Sequence, residues 1–298
     1  MEDRRNLILA VVLTGLILLG WPYVAEFFFP APPRSAQTAP AATQPESSDA
    51  PAITADAPAK AVTLDSALAG TARIAVETPK LKGSINLEGA KVDDLVLLAH
   101  TEELSKKSPP VRLYSPSGTK NAHFARFGWT GEGATFPTDK TVWTPSGAKL
   151  TPETPVTLTW ANPEGQTFAI TLSIDKNYMI SVEQGFTNAA GLPQAKVAPF
   201  GLLSRKGKPT DATAGGSIFT QIHIGPIGVF DDKPNYEWGY DDVAEAAGGK
   251  VEFKTKGGWS GFGDKYWLSA LIPDQASNVE ADFTAKDGYY WNRIRNAQ

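Results

Sequence analysis

Residues 168–183 read FAITLSIDKNYMISVE, and this stretch decides the fold class of the chain. Large apolar side chains occupy every second position from Phe168 to Ile174, with small or polar residues between them. This period of two is typical of a β-strand with one buried face. The polar residues 175–177 then turn the chain, and the alternation resumes at Ile180. The pattern predicts a β-hairpin with a three-residue loop.

Similar short alternating stretches recur along the chain, separated by Gly, Pro, Asn and Asp residues that favour turns. The predicted strands are Arg73–Glu77, Gly83–Leu87, Leu95–Ala99, Phe124–Trp129, Val156–Trp160, Ile218–Ile224 and Val251–Lys254. Helical periodicity is scarce: residues 267–272 fit one face of a short helix, and a buried strand fits them equally well. Many short strands with few helices predict a mainly all-β fold, a large antiparallel β-sandwich over residues 62–298.

The N-terminus carries a charge-free apolar run from residue 7 to residue 25. At about 1.5 Å per residue the run reaches about 29 Å, close to the roughly 30 Å of hydrocarbon that a spanning helix crosses. Aromatic rings at one end favour the headgroup level, and an arginine pair at the other end keeps the N-terminus in the cytoplasm. The predicted anchor and interface residues are Arg4, Arg5, Leu7, Trp21 and Tyr23.

A cleaved signal peptide is the alternative interpretation of this segment. Its apolar core is about 7–15 residues long and ends at small residues. Here the core is longer, and the phenylalanines at positions 27–29 follow it. We therefore predict a single uncleaved transmembrane helix within residues 1–29. The Pro- and Ala-rich residues 30–61 are predicted to form a disordered tether to the β domain of residues 62–298.

Composition and motifs give no signal for a catalytic, cofactor-binding or metal site. The chain has no cysteine, which excludes disulfides, thiol nucleophiles and Cys-ligated metals. His100, His123 and His223 lack metal-ligand spacing, and Gly257–Gly261 does not match the nucleophile elbow. The net charge of −4 and scattered basic residues do not favour a nucleic-acid partner. We predict no catalytic residue, no cofactor and no metal.

Several charged and aromatic groups need an interpretation of their own. Adjacent acidic residues in a strand face opposite sides, so the acidic pairs are predicted to be solvated loop charges. These pairs are Asp93-Asp94, Glu102-Glu103, Asp231-Asp232 and Asp241-Asp242. The basic run at residues 205–208 is predicted to be a solvated turn. Trp238 and Trp259 are candidates for lining a ligand cleft, with core and sheet-edge packing as the alternative.

A set of motifs in a fixed order resembles one known family. The motifs are MEDRRNL at 1–7, LKGSINLEGA at 81–90, YSPSGT at 114–119, FGW at 127–129, HIGPIGV at 223–229, GGWSG at 257–261 and DKYWLSALIP at 264–273. Each motif alone is modest, but their order and spacing resemble the N-terminal half of the YidC family of bacterial membrane protein insertases. The resemblance covers essentially the whole chain apart from the tether.

The resemblance implies a periplasmic β-supersandwich, akin to galactose mutarotase but without its enzymatic role, attached to the inner membrane. It also implies three partners: the lipid bilayer, components of the Sec translocon, and nascent inner-membrane proteins. In the family the insertase activity resides in five further spans. The chain stops at Gln298 without them. We therefore expect a non-catalytic fragment, truncated within the β domain, that does not insert proteins alone.

The residues themselves leave two other functions open. One is a membrane-tethered module that binds carbohydrate or peptide in an aromatic-lined cleft. The other is an enzyme of the sugar epimerase, lyase or mutarotase type, which would need a histidine and a carboxylate converging in one cleft.

Overall fold

The computed structural model describes residues 62–105, 107–208 and 223–297. Two short α-helices and a 3-10 turn occur in these ranges: α1 (Leu64–Ala69), α2 (Tyr240–Glu245) and Ala247–Gly249. The strands are β1 (Arg73–Glu77), β2 (Leu81–Asn86), β3 (Lys91–Thr101), β4 (Pro110–Tyr114), β5 (His123–Glu132), β6 (Thr144–Pro145), β7 (Lys149–Leu150), β8 (Val156–Ala161), β9 (Thr167–Ile174), β10 (Ile180–Thr187), β11 (Lys196–Lys206), β12 (Gly225–Phe230), β13 (Lys233–Asn235), β14 (Lys250–Lys256), β15 (Trp259–Gly263), β16 (Leu268–Leu271), β17 (Asn278–Lys286) and β18 (Tyr289–Asn296).

The strands form three sheets. The large sheet has the order β14-β17-β18-β11-β5-β3-β2-β1-β7, with β4 paired to β3. The second sheet has the order β10-β9-β8-β6, and the third has the order β13-β12-β15-β16. Pairing is antiparallel except between β1 and β7, which run parallel. The predicted mainly all-β antiparallel sandwich is confirmed, with 55% of the described residues in strands and 7% in helices.

The hairpin of β9 and β10 forms as predicted, with a longer connection. Alternate residues of β9 are buried, and the Phe168 ring lies 5.1 Å from Trp129 and 5.0 Å from Phe186. The loop contains residues 175–179 instead of three residues. The Asp175 carboxylate accepts hydrogen bonds from the amides of Asn177 and Met179, and this Asx-type turn extends the loop.

Most predicted strands are present, and the differences have local causes. β1 has the predicted bounds, and β3, β5, β8 and β14 extend beyond the predicted bounds at one or both ends. β2 begins two residues earlier and ends one residue earlier than predicted. The helical alternative for residues 267–272 is wrong, because residues 268–271 pair with β15 as strand β16. Of the predicted strand 218–224, residues 218–222 lie outside the described residues, and β12 begins at residue 225.

The pair Asp93-Asp94 is not a solvated loop. Both residues are buried in β3, and the pairing of β3 with β2 shifts register between Ser84 and Ile85. Ser84 is opposite Asp94 and Ile85 is opposite Val92, so Asp93 is the extra residue of a β-bulge. A bulge changes the direction of side chains, which explains why the alternation argument was wrong for this pair.

The bulge gathers a buried cluster of charged groups. The Arg73 guanidinium binds Asp93 and donates from Nε to the Ser84 hydroxyl over 2.8 Å. That hydroxyl donates to Asp94 over 2.7 Å, and Arg112 binds the same carboxylate at 2.5 Å. Each carboxylate therefore has its own guanidinium partner.

The basic run at residues 205–208 is also different from the prediction. Arg205 and Lys206 are the last two residues of β11, and the Arg205 guanidinium binds Asp264 at 2.9 Å. The other three acidic pairs are exposed, as predicted, although Asp241-Asp242 lies in the first turn of α2 instead of a loop.

A buried amide network holds the turn between β8 and β9. Gln166, which is 1% exposed, donates from Nε2 to the Gly133 carbonyl and to Asn188, and accepts from Asn162 at 2.7 Å. Replacing Gln166 with leucine removes one hydrogen bond from each of three polar partners. We expect the free energy of unfolding to fall by about 1–3 kcal/mol, measured by urea denaturation. An unchanged unfolding midpoint would contradict a stabilising role for the network.

The predicted anchor and tether, residues 1–29 and 30–61, lie outside the described residues. Within the described part of the chain, no helix is long and apolar enough to cross a membrane. The three-part division of the chain therefore stays a prediction.

Candidate functional site: an apolar cleft between the sheets

An open cleft of about 870 Å³ lies against the large sheet. Its floor comes from residues of β2, β3, β5, β11 and β18, including Leu81, Leu95, Phe127 and Leu203. One wall is residues 178–184, which belong to the second sheet and the loop before it. The other wall is the continuous segment 266–274, which contains β16 of the third sheet. The three sheets therefore all contribute to one site.

The rim of this cleft is unusually apolar for an exposed surface. Eleven large hydrophobic side chains are exposed in the described residues, and five of them line the cleft. The five are Tyr178, Met179, Tyr266, Leu268 and Ile272. Clustered exposed apolar residues mark a binding surface, whereas single ones need no explanation.

A lysine packs against an exposed tyrosine of each wall, although neither lysine itself lines the cleft. Lys80 Nζ lies 5.1 Å from the centre of the Tyr178 ring, and Lys265 Nζ lies 5.2 Å from that of Tyr266. Lys80 also donates to the Asn177 side-chain oxygen over 2.8 Å. Within the described ranges neither lysine has a carboxylate within ion-pair distance. The free charge beside these tyrosines is therefore positive.

The charged groups that line the cleft itself are already satisfied. Asp274 accepts from the Ser277 hydroxyl over 2.7 Å and from the Ala276 amide, and these bonds lower the pKa of its carboxyl. The Arg295 guanidinium binds Glu280 at 2.7 Å. The charge of Arg295 is therefore balanced by a carboxylate, whereas Asp274 is hydrogen-bonded and has no ion-pair partner in the described residues.

A buried polar cluster fixes the 266–274 wall to the large sheet. The His123 ring bonds through Nδ1 to the Ser204 carbonyl at 3.0 Å and through Nε2 to the Ser269 hydroxyl at 3.1 Å. A carbonyl can only accept, so Nδ1 carries the proton and Nε2 accepts from Ser269. Tyr114 also hydrogen-bonds Ser269 and packs edge-on against His123.

Burial changes the acidity of this cluster. It raises the pKa of Tyr114 to about 12. Burial, together with the nearby Arg205 charge, lowers the pKa of His123 to about 3, against the opposing effect of the Ser204 carbonyl. A base of such low pKa cannot take a serine proton efficiently near neutral pH, because general bases work best with a pKa close to the working pH. The Ser269–His123 contact is therefore suited to holding β16 in place.

A second, wider groove of about 1520 Å³ lies on the other side of this wall. His100, His123, Trp267 and Ser269 border it, together with charged residues such as Arg205. The His100 ring lies 4.8 Å from that of Trp267. The third histidine, His223, bonds to the Pro226 carbonyl at 2.7 Å. None of the three histidines makes a hydrogen bond to a carboxylate in the described residues.

The predicted site residues are placed as follows. Trp238 and Trp259 are half-buried, and neither is among the residues that line the two cavities. Their ligand-binding role stays a prediction. The anchor residues Arg4, Arg5, Leu7, Trp21 and Tyr23 lie outside the described residues. The described part of the chain contains no group of three or more His, Cys, Asp or Glu side chains that could hold a metal.

Sequence reasoning missed the aromatic residues that do line the cleft. Tyr178 follows Lys176-Asn177, and Tyr266-Trp267 follows Asp264-Lys265. An aromatic residue next to a polar turn has little local reason to be there, since turns favour small polar residues. This mismatch between residue type and local structure was the one sign of the site that the sequence offered. Its significance becomes visible only when the two turns are seen to border the same cleft.

Comparison with known proteins places this architecture in a family. The YidC periplasmic domain family matches residues 73–298. "Membrane protein insertase YidC" of Zymomonas mobilis is 38% identical over 291 residues, covering 97% of this chain and 48% of that protein. The proteins of the same name in Bradyrhizobium diazoefficiens and Nitrobacter hamburgensis are 37% and 39% identical, with 48% and 47% of their lengths covered.

The chain thus spans about half the length of the curated relatives it matches. The family match covers every described strand, from β1 to β18. On this evidence the chain belongs to the YidC periplasmic domain family.

Proposed function

We propose that this chain is the non-catalytic periplasmic portion of a membrane protein insertase, which assists the insertion and folding of inner-membrane proteins. The observation that carries the proposal is the family match over residues 73–298, together with insertase relatives that align over nearly the whole chain. The insertion step itself is assigned to the half of those relatives that this chain does not span.

The proposal includes a location and three partners. The predicted helix within residues 1–29 holds the chain in the inner membrane with its N-terminus in the cytoplasm, and the β domain lies in the periplasm. The partners are the lipid bilayer, nascent inner-membrane proteins and components of the Sec translocon. The apolar cleft supports a role in contacting unfolded polypeptide, because it combines a hydrophobic floor with exposed aromatic residues.

Two features favour a binding role over an enzymatic one. His100, the histidine that lines the cleft, packs against Trp267 and makes no hydrogen bond to a carboxylate in the described residues. His123, which holds the wall of the cleft, is a poor base and bonds only to a carbonyl and a serine there. The buried acidic pair Asp93-Asp94 is already neutralised by two arginines. The epimerase alternative predicts turnover of a sugar substrate by the purified chain, and such turnover would contradict our proposal.

Complementation tests the insertase assignment directly. We expect the full-length gene that contains this chain to restore growth of cells depleted of their own insertase. Residues 1–298 alone are not expected to do so. Failure of the full-length gene, when its product is present in the membrane, would contradict the proposal.

The absence of cysteine allows a matched test of topology. A single cysteine at the exposed Leu104 position should react with a membrane-impermeant maleimide in intact cells with a permeabilised outer membrane. A single cysteine at Asn6 should react only after the inner membrane is opened. The reverse pattern would refute the proposed orientation.

A further inference from the structure

The 266–274 wall of the cleft contains an unpaired strand edge. In the described residues β16 pairs with β15 alone, so its other edge has no strand partner. All nine residues from Tyr266 to Asp274 border the cleft. Alternate residues of a strand point to opposite faces, so an unbroken run of lining residues means that the backbone itself borders the cavity.

The direction of the backbone groups follows from a close contact with β15. The Ser269 carbonyl oxygen lies 2.0 Å from the position that a Cβ atom would take on Gly261 of β15, so this carbonyl faces β15. Successive residues of a strand direct their amide and carbonyl groups to opposite edges. The amide and carbonyl of Ala270 therefore face the cleft.

This edge is held in place before any ligand arrives. The Ser269 hydroxyl bonds to His123, whose other nitrogen bonds to the Ser204 carbonyl of β11. A preformed edge lowers the conformational entropy that a ligand would otherwise lose on ordering it. Leu268 and Ile272 are about half exposed beside Ala270, and the apolar floor is available for alternate side chains of an added strand.

We propose that the cleft binds an extended apolar polypeptide segment with acidic flanks, as a strand added to the free edge of β16. Strand addition of this kind obtains affinity from main-chain hydrogen bonds and specificity from pockets for alternate side chains. The acidic flanks follow from charge complementarity with Lys80 and Lys265, the lysines without carboxylate partners in the described ranges.

The inference rests on the proposed periplasmic function and deepens it. Positively charged residues are concentrated in the cytoplasmic loops of membrane proteins, so non-cytoplasmic segments are poor in Lys and Arg. A cleft with free lysines at its rim would favour such segments over the cytoplasmic ones. The lysines therefore provide a physical basis for selecting polypeptide that has already crossed the membrane.

Binding of a defined peptide to the full chain in lipid nanodiscs tests the proposal. The probe is a fluorescent peptide of about ten residues, with valine at alternate positions between serines and two aspartates at each end, followed by fluorescence anisotropy. Ala270→Pro removes the amide that faces the cleft and spares the bonds to β15. We expect it to weaken binding about fivefold or more, because the main-chain hydrogen bond that the Ala270 amide donates to the added strand is lost.

Ala270→Ser is the matched control, because it keeps the amide, and its affinity should stay within about twofold of the original. If Ala270→Pro fails to fold, the unaltered chain is tested instead with the same peptide N-methylated at alternate residues, which removes main-chain donors from the peptide. Two such peptides are made, one methylated at the odd positions and one at the even positions, and at least one of them should no longer bind. The double variant Lys80→Glu, Lys265→Glu should weaken the aspartate-flanked probe and strengthen a lysine-flanked one.

Several results would overturn strand addition. They are equal binding of the unmodified and both N-methylated peptides, full binding by a folded Ala270→Pro variant, no peptide binding at all, or binding of free oleate without any peptide binding. Full-length protein that complements but shows one of these results would refute strand addition and leave the insertase proposal intact. If peptides bind with the expected pattern but the full-length gene does not complement, only the insertase proposal is refuted.

Discussion

Replacing Arg73 with methionine is expected to lower the free energy of unfolding by about 3–5 kcal/mol at neutral pH. Arg73 is the guanidinium partner of Asp93, and the two side chains are only 10% and 1% exposed. The substitution leaves a buried carboxylate without its compensating charge, which costs more than the pair itself contributes. Urea denaturation followed by tryptophan fluorescence measures the loss.

The effect of Arg73→Met should depend on pH in a defined direction. Burial raises the pKa of Asp93 in the folded protein, and Arg73 opposes that increase. Without Arg73 the folded pKa rises further above the unfolded one. The resulting penalty is present above the folded pKa and is relieved as the pH falls through it. The difference between the original chain and the variant should therefore become smaller on acidification.

Two further variants separate the buried charge from other effects. Arg73→Met combined with Asp93→Leu removes both charges and should recover most of the lost stability. Lys250→Met breaks the more exposed pair with Glu252 and should change the free energy of unfolding by less than about 1 kcal/mol. A double variant as unstable as Arg73→Met alone would show that the buried charge is not the cause.

Acid is expected to destabilise the domain through His123. Its pKa is about 3 in the folded protein against 6.5 for the ordinary side chain. Between these values the unfolded state binds a proton that the folded state excludes. Stability from this residue is therefore complete above about pH 6.5 and falls by about 1.4 kcal/mol for each pH unit below it.

The substitution His123→Asn isolates this contribution. At neutral pH the variant should be less stable, because it loses the bond to Ser269. Near pH 4.5 the original chain has lost about 3 kcal/mol through His123 and the variant has not. The unfolding free energy of the original chain minus that of the variant should therefore fall by about 3 kcal/mol between neutral pH and pH 4.5. A difference that is constant with pH would contradict the prediction.

Ser269→Ala provides the control for the His123 experiment. It removes the same hydrogen bond but keeps the buried imidazole, so its pH dependence should follow that of the original chain. The comparison separates the loss of a bond from the loss of a titrating group. Because Ser269 belongs to β16, the pair of variants also reports how firmly the 266–274 wall of the cleft is attached.

Local sequence patterns predicted the elements of the fold well. The alternation around Phe168 predicted the hairpin of β9 and β10, and β1 was predicted with its observed bounds. This success has a physical reason, since burial of one strand face imposes a period of two on the residues themselves. The loop at residues 175–179 was less predictable, because it depends on side-chain hydrogen bonds from Asp175.

The β-bulge at Asp93 could not be predicted from alternation. It arises where β2 and β3 pair with one extra residue, next to Gly83, whose missing side chain lets the Asp94 carbonyl approach to 1.8 Å from a Cβ position. The spacing of the acidic residues reveals neither the pairing of β2 with β3 nor the close approach of the Asp94 carbonyl to Gly83. The arginines that neutralise them, Arg73 and Arg112, come from different strands of the same sheet.

The sequence by itself determined the all-β class, most strand positions and the absence of cysteine chemistry, and its motif order indicated the family. Only the tertiary structure decided the site. The cleft brings residues 178–184 and 266–274 together from two sheets over the floor of a third. Strand periodicity acts between near neighbours, whereas the pairing and stacking of sheets act between residues far apart in the chain. A binding surface built from such distant segments cannot be recognised from any one of them alone.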